Sequence, residues 1–506
     1  MFGDTAVNRL LIILVALLLL PLLNSVTTVV ETASCESQGS LGTLQPFWNI
    51  TRGGPRADEG WGVAVDAVHD VYFAGFNRIA SATADVFLCK LSPSSVELWN
   101  ASWGGSFDDE AFVVTAADEY VYVGGRTFTN FSLASANMFI LKFSASNGSL
   151  VWSRVWDGGF GYDEVDGLRV YGGSLYVTGW TTGAATQNDI AVLRYDLNGT
   201  LLWARSWGTP GWDEANGHIG IDENYVYVVG RYNASNMVVG GDAVLAAFNR
   251  TDGSYAWHTT WGGNNLDDAF GMSMDSNYIY SVGITSSFGN DLIFLLKYSK
   301  AGTLMWNATW GGSGSELTRS VGVNADSTSI YVAGSTTSYG NGDFDVVLLR
   351  FNQNGTLTLS KTWGGQLLDR SHGIAVDDPF IYIAGDTRSY AVGDEDAFLL
   401  KVDVDGGNTI PEFSLPTMVA LIAAATLAYA IILAQARRRG QMRYRRAPKA
   451  LSTHVKKTTR HDSRNENARK SHAQTNGDMT RFSRPQLPFF FLYFEEELAP
   501  VISVLV

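Results

Sequence analysis

The stretch from Trp261 to Trp306, WGGNNLDDAFGMSMDSNYIYSVGITSSFGNDLIFLLKYSKAGTLMW, contains four short runs of apolar and aromatic residues. A Trp-Gly-Gly turn opens it, and the acidic pair Asp267-Asp268 precedes the first run. The second run is an apolar-Tyr-x-x-Gly element around Tyr280, the third begins at Asp291, and the fourth is Gly-x-x-x-Trp. Short runs rich in Val, Ile, Tyr, Phe and Trp, separated by Gly, Asn, Asp and Ser, are typical of β-strands.

This order of runs recurs seven times, and a period of about 50 residues indicates a repeat architecture. The starts are separated by 55, 53, 51, 54, 49 and 53 residues and are marked by Trp48, Trp103, Trp156, Trp207, Trp261, Trp310 and Trp363. The tyrosines of the second run are Tyr72, Tyr122, Tyr176, Tyr227, Tyr280, Tyr331 and Tyr382. Residues four apart share one face of a strand, so each repeat presents two large rings to a neighbour. The second rings lie four residues before a start, at Trp99, Trp152, Trp203, Trp257 and Trp306.

Seven repeats of four strands predict an all-β fold, a seven-bladed β-propeller over residues 44–405. The seventh repeat has no fourth run after Leu400-Lys401, whereas Phe47–Thr51 forms an unpaired run of that type near the N-terminus. We expect this N-terminal strand to complete the seventh blade and close the ring, because closure protects both free edges. A linear solenoid of the same repeats is the alternative.

The recurring Trp-Gly-Gly turn, acidic turn, apolar-Tyr-x-x-Gly run and Gly-x-x-x-Trp run resemble the seven-bladed propeller repeats of the SBBP type. That family occurs in bacterial and archaeal surface proteins, and the resemblance covers Leu44 to Asp405. It implies the propeller fold, but the family is known mainly as an architecture, so it implies no particular ligand or reaction. The Gly-x-x-x-Trp run is also similar to that of quinoprotein propellers.

Residues 1–34 predict a secretory signal peptide, because Arg9 precedes the apolar run Leu10–Leu23 and small residues follow up to Ser34. An uncleaved N-terminal anchor is the alternative. The segment is therefore set aside from the folded part.

Residues 414–436 predict one transmembrane helix, since about 21 uncharged residues suffice to span a hydrocarbon core of about 30 Å. Arg437, Arg438 and Arg439 follow, and the positive-inside rule places that end in the cytoplasm. We therefore expect a single-pass protein of the cell membrane with an extracellular propeller and a basic, disordered cytoplasmic tail at residues 437–506.

Residues 406–413 form a linker that contains Pro411-Glu412-Phe413. This motif, the apolar helix and the Arg cluster resemble archaeal C-terminal sorting signals. Such signals end soon after the basic cluster, whereas 67 residues follow Arg439. We therefore expect the segment to act first as an ordinary anchor.

The predicted outer part is strongly acidic. Between Glu36 and Glu412 there are 42 acidic and 20 basic residues, a net charge of 20 − 42 = −22, which disfavours nucleic acid as a partner. Nine Asn-x-Ser/Thr sequons lie in this part and predict a glycoprotein: Asn49, Asn100, Asn130, Asn147, Asn198, Asn233, Asn249, Asn307 and Asn354.

Cys35 and Cys89 are the two cysteines. Cys89 replaces a buried Leu of other repeats, so we expect a core thiol, with a disulfide as the alternative.

The acidic turn between repeats is the most regular polar feature. Its first acidic position is occupied by Asp58, Asp109, Asp163, Asp213, Asp267, Glu316 and Asp369. These carboxylates are weak candidates for calcium, which prefers several oxygen ligands. The favoured interpretation is that each carboxylate caps its own turn, because it recurs in every repeat. The next position is acidic in five repeats, but is Leu317 and Arg370 in the last two, which suggests a side where a partner binds.

A second acidic set opens the third run at Asp85, Asp189, Asp242, Asp291, Asp345 and Asp396, with Asn137 in the second repeat. It lacks the continuation of a calcium-binding EF-hand loop, so turn capping is again favoured. The sequence shows no Gly-x-Ser-x-Gly, His-Glu-x-x-His or Cys-x-x-Cys motif. We therefore assign no catalytic residue and no cofactor.

These patterns favour a non-enzymatic binding, adhesion or scaffold protein whose partner is a surface protein or a glycan. An extracellular propeller enzyme with its site at the channel mouth, such as a glycoside hydrolase, a lyase or a quinoprotein-like dehydrogenase, is the main alternative, because seven blades bring many carboxylates near one axis. A structural role in an envelope layer is the third.

Overall fold

The computed structural model describes residues 41–404 except residues 79–82, 130–134, 184–186, 234–239 and 324–326. Regular structure in these ranges consists of 29 strands in seven sheets. The predicted all-β, seven-bladed propeller is confirmed, and each sheet is one blade. The first described strands are β1 (Gly42–Thr43) and β2 (Trp48–Arg52).

The first four blades take their strands in chain order. Blade 1 consists of β3 (Glu59–Val65), β4 (Val71–Asn77), β5 (Asp85–Leu91) and β6 (Glu97–Trp103). Blade 2 consists of β7 (Asp109–Ala117), β8 (Tyr120–Phe128), β9 (Ala136–Ser144) and β10 (Leu150–Trp156). Blade 3 consists of β11 (Asp163–Tyr171), β12 (Ser174–Thr182), β13 (Asn188–Asp196) and β14 (Leu201–Trp207). Blade 4 consists of β15 (Gly220–Ile221), β16 (Tyr225–Tyr232), β17 (Asp242–Asn249) and β18 (Tyr255–Trp261).

The remaining blades complete the ring. Blade 5 consists of β19 (Asp267–Met274), β20 (Tyr278–Thr285), β21 (Leu292–Ser299) and β22 (Leu304–Trp310). Blade 6 consists of β23 (Glu316–Val323), β24 (Ser329–Thr336), β25 (Asp345–Asn352) and β26 (Leu357–Trp363), with β1 added in parallel to β26. Blade 7 consists of β27 (Asp369–Asp377), β28 (Phe380–Thr387) and β29 (Asp396–Asp403), completed by β2.

The first strand of each blade is innermost, because β3, β7, β11, β15, β19, β23 and β27 contact one another around the axis. The four main strands of each blade pair antiparallel, as in blade 1. Turns from an outermost strand to the next blade and loops between second and third strands therefore lie on one face, which we call the upper face. The hairpins that join the first to the second strand and the third to the fourth form the lower face.

The ring is closed by the strand that the sequence predicts. β2 pairs antiparallel with β29, with Trp48 opposite Lys401 and Arg52 opposite Ala397. Innermost strands β27 and β3 also pack against each other, which joins blade 7 to blade 1. This closed ring excludes the linear solenoid.

The strand register of blade 7 corrects the sequence-based assignment of Trp48. Trp48 lies opposite Lys401 just as Trp99 lies opposite Lys90, whereas Trp103 lies opposite Val86. Trp48 therefore belongs to the second tryptophan position and is not the first start. Arg52 takes the start position in blade 7, where it forms an ion pair of 2.9 Å with Glu97 of blade 1. The 55-residue first spacing joins two unlike positions, which is why it exceeds the others.

The core lies between blades. The second and third strands are buried on both faces, as in β4 and β5. Side chains of neighbouring blades mix in each cluster, as Tyr72 and Leu88 do with Val123 and Phe139. All seven repeat tyrosines are at most 2% exposed and occupy the same place in each blade. Burial of this apolar area is the main stabilising contribution.

A hydrogen bond from the second tryptophan to a backbone carbonyl of the next blade recurs around the ring, and we call it the blade-to-blade bond. Its Nε1 donors and carbonyl acceptors are Trp48 and Pro93 at 3.1 Å, Trp99 and Ala145 at 3.1 Å, Trp152 and Leu197 at 3.2 Å, Trp203 and Thr251 at 3.1 Å, and Trp306 and Gln353 at 3.1 Å. A lysine Nζ reinforces several of these carbonyls, as Lys401 does at Pro93 at 2.9 Å. The bond from Trp48 crosses from blade 7 to blade 1.

Sequons differ in accessibility. Asn49, Asn100, Asn147, Asn198 and Asn354 are exposed, and Asn249 is half-buried. Asn233 and Asn307 are buried at 4% and 8% exposure, so the folded blades do not present them to a glycosylating enzyme. Cys89 is a buried free thiol, and burial raises its pKa to about 12.

Several predicted features lie outside the described residues: the signal peptide, the linker, the transmembrane helix, the tail, Cys35 and Asn130. Within the described ranges, no helix has the length and hydropathy needed to cross a bilayer.

We expect Trp48→Ala to destabilise the propeller by about 2–3 kcal/mol, because it removes a large packed ring from the closing strand. It also removes the bond to Pro93. The measurement is the urea midpoint followed by tryptophan fluorescence. Trp212→Ala is the matched control, since Trp212 is 43% exposed in an upper-face turn. Equal midpoint changes for both variants would contradict a special role for the closure.

Candidate functional site

The first carboxylate of every acidic turn is buried and accepts a backbone N–H from its own turn. Asp58 accepts from Gly54 at 2.7 Å and Asp369 from Gly365 at 2.8 Å. The same bond joins Gly105 to Asp109, Gly158 to Asp163, Thr209 to Asp213, Gly263 to Asp267 and Gly312 to Glu316. These are the hydrogen bonds of a capped turn. Calcium binding by the same carboxylates stays a prediction.

The second acidic set faces the first across the opening glycine of the turn. A Cβ on Gly364 would lie 1.8 Å from Asp345 Oδ1 and 2.8 Å from Asp369 Oδ2, so only glycine fits there. Gly53 and Gly104 are enclosed in the same way by Asp396 with Asp58 and by Asp85 with Asp109. The pKa of Asp345 is raised to about 6, mainly by burial and further by the charge of Asp369. At each such pair, the fold accommodates the repulsion between two neighbouring carboxylates.

The second acidic position lines the upper mouth of the central channel, where arginines join carboxylates of different blades. Arg126 contacts Glu110 of its own blade at 2.6 Å and Glu164 of the next blade. Arg231 likewise contacts Glu214 at 2.7 Å and Asp268 at 3.8 Å. Such bidentate and bridging pairs hold the carboxylates in fixed positions.

Blade 7 reverses these charges. Arg370 replaces the acidic residue and contacts Asp386 at 3.1 Å and Glu395 at 2.9 Å. Sequence reasoning flagged Arg370 but missed Arg126, Arg231 and Asp386. These three residues directly follow the glycine of the apolar-Tyr-x-x-Gly run, so the varying residue at that position was the available signal.

A narrow ring below this mouth, which we call the neck, consists of Trp61, Phe112, Asp166, Asn216, Phe270, Arg319 and His372. Each lies three residues after the first carboxylate of its blade. In blade 1 the pairing skips Trp61 between Gly60 and Gly62, and β-bulges occur at the same place in blades 2, 3, 5, 6 and 7. A bulge re-aims a side chain, and here it turns the neck residues toward the axis.

Neck residues from distant blades contact one another. Trp61 stacks on His372 with ring centres 4.1 Å apart and meets the edge of Phe112 at 4.9 Å. The Arg319 guanidinium lies 4.9 Å from the Trp61 ring and 5.1 Å from the Phe270 ring. Arg319 belongs to blade 6 and Trp61 to blade 1, so this contact passes blade 7 and crosses the axis. The neck therefore fills the centre of the ring.

Some polar atoms of the neck have hydrogen-bond partners among the described residues, and others have none. Burial, and then the neighbouring Glu164 charge, raise the pKa of Asp166 well above its usual range. Its Oδ2 is buried without a hydrogen-bond partner in the part of the chain that the structure describes. Burial lowers the pKa of His372 to about 3, so this imidazole is neutral, and its Nε2 forms a hydrogen bond with Asp386. His372 Nδ1 is buried without a described partner.

Glu59, His372 and Asp386 are the residues most suited to a metal ion. Their ligand atoms lie within 4.8 Å of one another, and among the described residues they form the one such group of three His, Cys, Asp or Glu side chains. Trp61 Nε1 donates to Glu59 at 2.9 Å. Arg370 donates to Asp386, and His372 Nε2 is hydrogen-bonded to it. Hydrogen bonds to protein groups thus hold both carboxylates in place.

A family model described as "Domain of unknown function (DUF5122) beta-propeller" matches residues 173–201 and 329–357. These segments contain the second and third strands of blades 3 and 6 and the turn into the fourth strand. The comparison with curated proteins finds no match. The sequence match and the seven sheets together show that the chain is a β-propeller repeat protein.

Solved propellers of low identity align with most of this chain. The WD40 domain of Neurospora crassa Pan2 is 9% identical, with a TM-score of 0.45 over 72% of this chain and 98% of that domain. The WD40 propeller domain of Doa1 is 12% identical, with a TM-score of 0.42 over 71% of this chain and 97% of that domain. Extracellular domains 1-2 of Drosophila Semaphorin 1b are 10% identical, with a TM-score of 0.43 over 71% and 87%.

We expect Asp345→Asn to be more stable than the parent at pH 8, with a flatter stability profile below that pH. The folded carboxyl has a pKa of about 6 against an ordinary value of 3.8, so the folded state binds the proton more tightly. The contribution of Asp345 to the free energy of unfolding therefore falls as the pH rises from 3.8 to about 6. The measurement is the urea midpoint from pH 4 to pH 8. The exposed Asp394→Asn should follow the parent, and a parent-like profile for Asp345→Asn would contradict the expectation.

Proposed function

We propose that this chain is a surface-exposed, non-enzymatic binding module of the SBBP type, whose upper face binds a protein partner. The observation that carries the proposal is the distribution of exposed apolar side chains. Among the described residues, six large ones are exposed in the loops and turns of the upper face: Phe160, Trp212, Phe288, Leu367, Tyr390 and Val392. On the lower face they are Val68 and Val96 in hairpins and Phe47 just before β2. The others lie along the outermost strands at the rim: Leu98, Leu150, Val151, Val155, Leu201, Leu202, Tyr255 and Met305. Aromatic and aliphatic side chains grouped on one face are typical of protein-binding surfaces.

The regularity of the blades supports the same interpretation. Buried tyrosines, turn carboxylates and blade-to-blade bonds repeat, because they build the ring. The exposed upper-face residues do not repeat, so they are available for specificity. A function belongs to such a site and not to the fold that carries it.

The charges at the upper mouth favour binding over catalysis. Glu110, Glu164 and Glu214 are held in ion pairs by Arg126 and Arg231. A general base has to be free to take a proton from a substrate. The neck fills the centre below them with side chains of several blades, so a partner meets a broad surface and not a deep active-site pocket.

Sequence features support an extracellular location of the propeller. β29 ends at Asp403, and the predicted transmembrane helix begins about ten residues later in the sequence. The signal peptide, the positive-inside charge pattern and five exposed sequons support an extracellular propeller.

We expect Val392→Asp and Phe288→Ser to weaken partner binding at least about tenfold, since buried apolar contacts dominate interface energies. These side chains are 88% and 52% exposed, so the fold tolerates both changes. The measurement is a binding screen of the full chain in detergent against envelope proteins and glycans, with calcium and with a chelator.

Val68→Asp is the matched control, because Val68 is 69% exposed on the lower face. Equal losses for Val68→Asp and Val392→Asp would contradict an upper-face site. Glycan binding that survives both upper-face variants would overturn the choice of a protein partner. Turnover of a glycan or an alcohol by the chain would favour the enzyme alternative.

A further inference from the structure

The lower face carries a cavity of about 610 Å³ whose walls include Arg169, Tyr171, Glu223, Met274 and Lys300. It adjoins a second cavity of about 260 Å³ in the central channel, since Arg169 and Val323 border both. The larger volume lies within the range of small-molecule sites. This site is on the face opposite to the proposed partner surface.

The cavity lies where blade 4 departs from the repeat. Its innermost strand, β15, has two residues, whereas the other innermost strands have seven to nine. The chain from Asn216 to Ile219 leaves the ladder before β15 begins. The departure places His218 in the wall of the inner cavity, beside Arg169 of blade 3.

Arg169 has no hydrogen bond or ion pair with any residue in the described ranges, although the propeller is strongly acidic. Its side chain is exposed to the cavity, yet burial within the ring lowers the pKa of the guanidinium. A guanidinium that lines a cavity without a carboxylate partner attracts an anion, which it can hold with charge-assisted hydrogen bonds. Most other channel arginines already have carboxylate partners, as Arg126, Arg231 and Arg370 do.

His218 supplies a second unused polar group. Its Nδ1 is buried without a partner in the described part of the chain. His218 and Arg169 both border the inner cavity, and burial and then the Arg169 charge lower the pKa of His218. A neutral imidazole can donate one N–H to an oxygen that the guanidinium also holds.

The three acidic residues of the same wall, Asp222, Glu223 and Asp275, form no ion pair with Arg169 in the described part of the chain. Asp222 accepts N–H bonds from Asn224 and Tyr225 and an O–H bond from Tyr227. Asp275 is used in the same way by Asn277, Tyr278 and Tyr280. Both carboxylates are fixed in their own turns.

We propose that this cavity binds a small oxyanion ligand, with the Arg169 guanidinium as its anchor and His218 as a second donor. A carboxylate or a phosphate fits the planar fork of arginine. Lys300, on the cavity wall, adds positive charge toward the lower face.

The test compares glucuronate, inorganic phosphate and glucose as ligands of the full chain by titration calorimetry. Glucose resembles glucuronate but lacks its carboxylate. If the chain binds glucuronate and does not bind glucose, the carboxylate is recognised. Phosphate binding shows that any oxyanion suffices. We expect Arg169→Gln to weaken oxyanion binding at least about tenfold, since a lost charged hydrogen bond has an effect of that order.

Arg205→Gln is the matched control, because Arg205 is exposed on an outermost strand far from the cavity. His218→Gln is a second variant that keeps a neutral donor, and we expect a smaller loss. Unchanged urea midpoints establish that the variants fold. Absence of saturable oxyanion binding, or equal affinity of Arg169→Gln and the parent, would overturn the proposal. Neither outcome bears on the upper face, whose variants are different.

Discussion

Closure of the ring is the constraint on which the rest of this structure depends. Seven sheets packed side by side leave two open ends, and each end would expose apolar area and unpaired strand edges. β2 removes both ends by completing blade 7. Trp48 then donates a hydrogen bond to Pro93 of blade 1, so the last junction uses the same bond as four of the other junctions. The closing strand is short, and its tryptophan joins two distant parts of the chain.

Packing between neighbouring blades is regular, whereas the side chains at the centre of the ring differ from blade to blade. The tyrosine, the tryptophan and the turn carboxylate are fixed by the geometry that each blade shares with the next. A bulge in the innermost strand turns one residue per blade toward the axis, where no repeat rule applies. Trp61, Arg319 and His372 meet there, and their contacts join blades 1, 6 and 7. The neck thus adds contacts that stacked neighbours alone do not provide.

The two faces of the ring differ in chemistry because they are built from different connections. Long turns and loops form the upper face and expose aromatic and aliphatic side chains around a mouth of paired charges. Tight hairpins form the lower face, where acidic residues such as Asp222 and Asp275 stabilise their own turns. A cavity on that side lies beside the one irregular innermost strand, and Arg169 on its wall has no ion-pair partner in the described part of the chain. Binding of a large partner and binding of a small anion are therefore compatible in one molecule.

The sequence by itself determined the strands, the number of blades and the strand that closes the ring, because these follow from local patterns repeated at a fixed period. It also determined that the turn carboxylates recur for a local reason. It misplaced Trp48, since spacing cannot distinguish two tryptophan positions four residues apart. Only the tertiary structure decided which side chains meet at the neck, which carboxylates Arg126 and Arg231 join, and that Arg169 lines a cavity without an ion-pair partner among the described residues. The residues that meet are separated by 16 to 311 positions in the chain and become neighbours only when the blades form and close around one axis.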